Sequence, residues 1–318
     1  MRAIGGFFEL ELPDGKSLYH DEAIKLSTGR ACLGLILKTN TFSKIYLPYY
    51  CCDALFEPLD LQGVPFEFYA IDKNLEINDT IKLNPNEAIV YCNFFGIKSN
   101  YVNELIKRYG NQLIIDNSHS FFSKGFSNNI SFTTARKYFG VPDGAFLYAP
   151  KEVPSSGIER NNDVYLNHNV NRLLGNQEKA YREFLSYEAS LNCDIRQISS
   201  VSESLLKLVD YKEVRKIRNE NFNFYKNEFA HLNKIEIGDD EKDCFCYPLL
   251  LNEKIDVQKL FNQNIFIPSY WNDVVQRVSA KDYAFEIALS KDLLPLPIDH
   301  RYTEIDLRRV VVAIKQLI

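Results

Sequence analysis

Positive charge is not in excess in this chain. Its 37 lysines and arginines face 42 aspartates and glutamates, so the net charge is −5, with both signs spread along the length. That leaves no electrostatic footprint for nucleic acid. No stretch approaches the ~20 consecutive apolar residues that a bilayer span needs. The opening residues, MRAIGGFFELELPDGK, are interrupted by glutamates and lack the apolar core of about 7–15 residues found in export signals, so the protein is expected in the cytoplasm. Neither Gly-x-Gly-x-x-Gly nor the full phosphate loop Gly-x-x-x-x-Gly-Lys-Ser/Thr occurs, since Gly15-Lys16-Ser17 has Leu10 where the first glycine would stand, which removes an ordinary Rossmann-type nucleotide site. Internal repeats and low-complexity segments are absent. Cysteines number seven, an odd count. Cys51 and Cys52 are adjacent, and Cys244 and Cys246 share one side of a predicted strand. Neither pair has a matching second pair or a histidine at zinc-ligand spacing, so reduced thiols are expected, without a disulfide framework or a metal site.

What is present reads as a soluble α/β protein. Hydrophobic residues make up 46% of 318 positions, enough for a large domain and a smaller one. The first half alternates strand and helix signals. STGRACLGLILKTN (27–40) predicts a helix capped by Ser27 or Thr28. KIYLP (44–48), PFEFYAID (65–72), EAIVYCNFFG (87–96), QLIID, ISFTT (130–134) and GAFLYAP (144–150) predict strands. CCDALFEPLDLQG predicts a helix broken or ended near Pro58, and SNYVNELIKRYG (99–110) another with a glycine stop. Such alternation implies βαβ units and a mainly parallel sheet. Strands so uniformly apolar are expected where helices cover both faces, and ligands then bind beyond the strands' carboxyl ends. Residues 151 to 172 are polar and loop-like, and 176 to 232 are almost all helical in pattern. A second, smaller pattern follows: strand FCYPLLL (245–251), a helix near 256–263, strands IFIPSY and LLPLPI, and a last helix from 303 to 318. A domain boundary is placed near residue 205, giving a large domain 1–205 and a small C-terminal domain 206–318.

The residues that could carry chemistry follow in order. Ser27-Thr28-Gly29-Arg30 opens a helix, whose free N–H groups suit a phosphate. YYCCD (49–53) brings aromatics to a strand end. Asp116 ends the apolar run LIID, with His119 three residues on. Lys137 then lies between two apolar strands. A lysine that is partly desolvated loses proton affinity, and its free amine can form a Schiff base with a carbonyl. Taken singly each residue has a plainer explanation: a cap, a turn aspartate, a structural histidine, a loop lysine. Together they are what pyridoxal 5'-phosphate needs: an amine, a carboxylate against the ring nitrogen, a phosphate cradle and a flat group over the ring. Asn93 and His119 are candidates to hydrogen-bond the ring hydroxyl or stack on the ring.

The segments GGFFELEL, STGRACL, YLPYYCCDAL, YCNFFGI, IIDNSHSFF and TTARKYFGVPDGAFLY, in that order, resemble the DegT/DnrJ/EryC1/StrS family of pyridoxal-phosphate-dependent sugar aminotransferases. The resemblance covers about residues 1 to 150 and is looser beyond, where IFIPSYW and LLPLPIDHRYTEIDLRRVV are similar to the family's endings. It implies the type I aminotransferase fold, with a mixed, mostly parallel seven-stranded sheet in the large domain and a small C-terminal α/β domain. It implies Lys137 as the residue that carries the cofactor and shuttles the proton, and Asp116 as partner of the ring nitrogen. His119 takes the place of the family's usual glutamine near the ring hydroxyl. Thr28 and Gly29 would bind the phosphate, with Thr134 a further hydroxyl. Tyr50 is the expected ring cover, with Tyr49 and Cys52 as rivals. Asn169 and Arg172 resemble a segment that reaches into a partner subunit's site, so a homodimer is implied. The chain departs from the family by a shortened stretch between Pro150 and Gly175, by His119, and by YFGVPDGA after the lysine in place of a Glu-Gly-Gly.

The implied reaction is transfer of an amino group from glutamate to a nucleotide-linked keto-deoxysugar, in polysaccharide or glycoconjugate synthesis. Arg30, Arg172 and Arg301 are candidates for the donor carboxylate or a pyrophosphate. Two other readings are a lyase or dehydratase with the same cofactor, and a catalytically idle homologue serving as a binding subunit. Lys137 stands against the dehydratase, for which the resemblance implies histidine there. The basic face Lys212, Arg215, Lys216 and Arg218 alternates with glutamates and reads as solvated.

Overall fold

The computed structural model describes residues 4, 6–125, 129–150, 153, 156–278 and 280–318. Gly5 of GGFFELEL, and Lys151, Glu152, Pro154 and Ser155 of the polar stretch after Pro150, lie outside the described residues.

The first half gives β1 (Ile24–Leu26), α1 (Gly29–Thr39), β2 (Lys44–Pro48), α2 (Phe56–Gln62), β3 (Phe66–Tyr69), β4 (Glu87–Cys92), α3 (Ser99–Tyr109), β5 (Leu113–Asp116), β6 (Ile130–Thr134) and β7 (Ala145–Tyr148). These strands form one seven-stranded sheet in the order β1-β7-β6-β5-β4-β2-β3. Strands β3, β2, β4, β5 and β6 run parallel, and β7 is antiparallel to both its neighbours. Every residue of β4, β5 and β6 is buried, which is why β4 and β5 are almost uninterruptedly apolar, while β6 also buries Ser131, Thr133 and Thr134. Helix α1 packs on β6 and β7, and α3 on β5.

Then come α4 (Asn167–Leu173), α5 (Gln177–Ser190), α6 (Ser200–Lys207), α7 (Tyr211–Phe229), β8 (Cys246–Leu249), α8 (Val257–Phe261), α9 (Ala284–Asp292), β9 (Leu294–Pro297) and α10 (Glu304–Lys315). Strands β8 and β9 pair antiparallel as a second, two-stranded sheet, against which α7 packs together with α10.

Three sequence expectations need correction, and one strand had no sequence expectation. Pro58 begins a helix instead of ending one: it sits in the first turn of α2, which runs on to Gln62. There a missing N–H costs nothing, because no intrahelical acceptor exists for it. IFIPSY is not a strand; Ile265 and Ile267 are buried, but the segment has no ladder partner and Pro268 has no N–H to offer one. The run 176–232 is three helices, broken at 191–199, where Gln197 bridges to Leu26 and Arg160. Strand β1 was not foreseen, since three residues carry no readable period.

Candidate active site

The carboxyl ends of β4, β5 and β6 open into a cavity of about 440 Å³. Thr28, Gly29, Asn93, Asp116, His119, Thr134 and Lys137 all line it. They come from three strand ends and one helix start, so the sheet topology brings them together.

Thr28 caps α1: its hydroxyl oxygen accepts the Ala31 N–H at 3.0 Å. The N–H groups of Gly29 and Arg30 precede any intrahelical acceptor and remain open to a ligand. A Cβ at Gly29 would stand 3.6 Å from the Phe132 ring and 3.9 Å from Ser118 Oγ, so this glycine keeps open the space over the helix start. Ser118 was missed by the sequence reading. It lines the cavity beside Gly29, and its hydroxyl has no hydrogen-bond partner among the described residues. The signal was its place inside DNSH.

Asp116 is the last residue of β5, in register with Cys92 of β4 and Phe132 of β6. Its Oδ1 accepts the Ser118 N–H at 2.8 Å, and its Oδ2 lies 3.8 Å from Cys92 Sγ. Burial, with the Asp116 charge second, holds the Cys92 thiol well above its usual range.

His119 joins the two halves of the chain. Its ring stacks on Phe245 at 4.6 Å and parallel to Trp271 at 5.5 Å. The Phe95 N–H donates to Nδ1 at 3.3 Å, so the neutral ring carries its proton on Nε2, which is buried without a partner. Burial first, and the Lys137 charge second, push its pKa well below the ordinary value. Phe95 and Trp271 both hold positive φ, 55° and 57°, which non-glycine residues adopt at a cost of ~1–3 kcal/mol. Gly96 beside them has φ 76°, and a Cβ there would meet the His119 carbonyl oxygen at 2.6 Å. No other residue type fits.

Lys137 is half-buried in the β6–β7 connection. Its ammonium has no ion pair or hydrogen bond among the described residues; it stands 5.9 Å from the centre of the Phe245 ring. The connection is pinned at two points after it. Tyr138 donates its hydroxyl to the His119 carbonyl at 2.8 Å. Asp143, fully buried, accepts from Ser199 Oγ at 2.6 Å, Ser199 N at 2.9 Å, Asn161 Nδ2 at 2.9 Å and also from Ser202 Oγ. The departure in YFGVPDGA is thus a tie from the lysine's loop to the start of α6.

Some expectations shift. Asn93 lines the cavity, but its two amide hydrogens go to Asn117 at 3.2 Å and Ser99 at 3.4 Å; it braces the loop and has none left for a ring hydroxyl. The Thr134 hydroxyl donates to the Gly144 carbonyl at 3.1 Å. Tyr50 does not reach the cavity. It is fully buried behind the wall, 4.5 Å from Trp271 and with its hydroxyl unpartnered. Tyr49 stacks on Tyr283 at 3.7 Å. Of YYCCD, Cys52 and Asp53 line the cavity. Asn169 and Arg172 lie outside it. Asn169 Nδ2 would be 3.7 Å from a Cβ at Gly140, and Arg172 lines a separate cavity of about 330 Å³ with Tyr302 and Arg309. Arg301 is paired with Asp299 at 2.6 Å, away from the site.

No family model matches the chain, and no curated protein does. Solved structures do. The sugar aminotransferase CalS13 from Micromonospora echinospora superposes with a TM-score of 0.67 at 17% identity, over 94% of this chain and 88% of its own. A DegT DnrJ EryC1 StrS aminotransferase from Brucella abortus gives 0.64 at 18%, over 92% and 85%. Spr1654 from Streptococcus pneumoniae, in its PLP form, gives 0.65 at 12%, over 94% and 88%. The chain therefore has the type I aminotransferase fold, as the motif resemblance implied.

Proposed function

We propose that the chain is a pyridoxal-phosphate-dependent aminotransferase of the DegT/DnrJ/EryC1/StrS type. It takes an amino group from glutamate and gives it to a nucleotide-linked keto-deoxysugar, in the cytoplasm, for polysaccharide or glycoconjugate synthesis. One observation carries this reading: an unpaired lysine, a strand-end aspartate and an open helix N-terminus converge on one cavity from separate parts of the sequence. The fold likeness to sugar aminotransferases, one of them in a PLP form, supports it.

The unpartnered Nε2–H of His119 and the space kept by Gly29 fit such a cofactor. When bound, pyridoxal phosphate would supply an aldehyde carbon to take up the amino group and a ring to accept electrons from the substrate. Thr28, Gly29 and Ser118 would hold its phosphate at the start of α1. Asp116 would hold a proton on its ring nitrogen. His119, kept neutral, would donate Nε2–H to its ring oxygen. Lys137 would take and return the substrate's proton at Nζ, and the cover of the ring would fall to Cys52, where Tyr50 was expected.

Domain division and assembly belong to the same proposal: a large domain 1–205, a small one 206–318, and a homodimer in which Asn169 and Arg172 serve the partner's site. Exposed Leu173, Leu174 and Tyr181 on the α4–α5 hairpin support an interface there.

An absorbance spectrum with added pyridoxal phosphate tests the reading. A visible band in wild type, absent in Lys137→Ala and bleached by glutamate, is the expected result. A band indifferent to glutamate would turn the reading toward a lyase, and no band in either protein would overturn it.

A further inference from the structure

The cavity wall contains a cation to which the reaction above gives no task. Arg136 immediately precedes Lys137 and lines the same cavity. Its side chain is 16% exposed and forms an ion pair with Glu188 of α5, whose side chain is 37% exposed and also lines the cavity. The contact has one prong: Nη2 donates to Glu188 Oε1, and no other guanidinium N–H has an acceptor among the described residues. A guanidinium holds a carboxylate best through two parallel N–H bonds. The internal contact therefore uses part of what Arg136 offers. Burial first, partly offset by Tyr187, and then repulsion from Arg30 lower the Arg136 pKa, and an anion at its side offsets the cost of burying the charge. Arg30 has its own carboxylate, Glu57, at 3.6 Å, and it stands at the phosphate end of the cavity.

We propose that Arg136 anchors the carboxylate of the incoming amino donor, and that Glu188 occupies this anchor until the donor arrives. The inference rests on the aminotransferase reading for the identity of the ligand, an α-amino acid. Adjacent residues then divide the work: Arg136 holds the carboxylate while Lys137 faces the carbon that bears the amine. The exchange is feasible because Glu188, the more exposed partner, passes to solvent as the donor's carboxylate replaces it. Arg136 is thus a specificity residue that acts on KM. Glu188 is an internal competitor that keeps a buried cation neutralised between turnovers. Amines that lack a carboxylate gain nothing from the pair.

Calorimetric titration of glutarate, a dicarboxylate with no amine to react, tests this without turnover and without added cofactor. Arg136→Gln is expected to weaken glutarate binding by about tenfold or more, the scale of one charge-assisted pair. Glu188→Gln is expected to tighten it. A Glu188→Gln protein that binds more weakly, or an Arg136→Gln protein that folds and binds like wild type, overturns the proposal and leaves the pair as a tie between loop and helix. Should Arg136→Gln not fold, the sign of the Glu188→Gln change decides. A visible cofactor band with glutarate binding indifferent to Arg136 would sink the anchor and spare the aminotransferase. Arg136-dependent glutarate binding without a cofactor band would do the reverse, leaving a carboxylate subsite on a protein of other function.

Discussion

The two walls of the cavity are built differently. One is polar and comes from a contiguous half of the chain: the start of α1 and the ends of β4, β5 and β6 supply Thr28, Gly29, Asn93, Asp116, Ser118 and Lys137. Each of these stands on, or one short turn beyond, a buried strand or helix. The other wall, Leu185, Glu188, Ala189 and Trp271, comes from α5 and from a loop before α9. It meets the first wall through His119, stacked on Trp271 and Phe245. The groups that would do chemistry are thus held on the sheet, and the proposed anchor, Arg136 with Glu188, spans the two walls.

The comparison can be broken from either side. Asp143→Ala removes the buried acceptor of four donors, three of which tie the Lys137 loop to the start of α6. It should lower unfolding stability by about 3–4 kcal/mol, since several buried donors lose their partner at once. Urea denaturation measures this, and a loss below about 1 kcal/mol would mean that the sheet wall does not depend on the tie. Trp271→Ala opens the other wall. Because Trp271 is part-exposed, the cost should be about 2 kcal/mol, less than for a fully buried tryptophan. The accompanying change should be a faster exchange of cofactor, seen as loss of the visible band on dialysis.

The junction between the walls responds to pH. His119, at the junction, has a lowered pKa, and His20, which does not line the cavity and is locked between Tyr148 and the Phe121 carbonyl, is lowered to about 4 by burial. The unfolded chain takes up protons below ~6.5, while the folded chain resists, so stability is complete above that pH and falls as the pH drops. Between pH 7 and 5, His20 alone should account for a loss of about 2 kcal/mol. His119→Gln should flatten the slope while leaving the His20 share. An unchanged slope in that variant would show that His119 does not couple the walls as described.

Legibility followed the same division. Strands β4 and β5 were readable because double-sided burial leaves apolar runs, and β3 because its residues alternate; Asp116 and Lys137 stood out because a polar residue ends such a run or stands between two strands. Thr28 was readable as a cap. IFIPSY failed for the converse reason: Ile265 and Ile267 are apolar because they are buried, which says nothing about ladder pairing. Tyr50 failed because an aromatic near a strand end can point into the core as readily as into a cleft; here it packs behind Trp271. Ser118 was passed over because its value lies in its nearness to Gly29, distant in sequence.

The order of apolar runs and the polar residues at their ends carried the sheet, its parallel character and the chemical identity of the sheet-borne wall, because strand burial and helix capping are local physics. The aromatic stack on His119, the pairing of Arg136 with Glu188 and the binding of Asp143 to the start of α6 needed the folded chain. Each joins residues tens to more than a hundred positions apart, and no local pattern of apolar and polar residues encodes which distant side chain will arrive opposite.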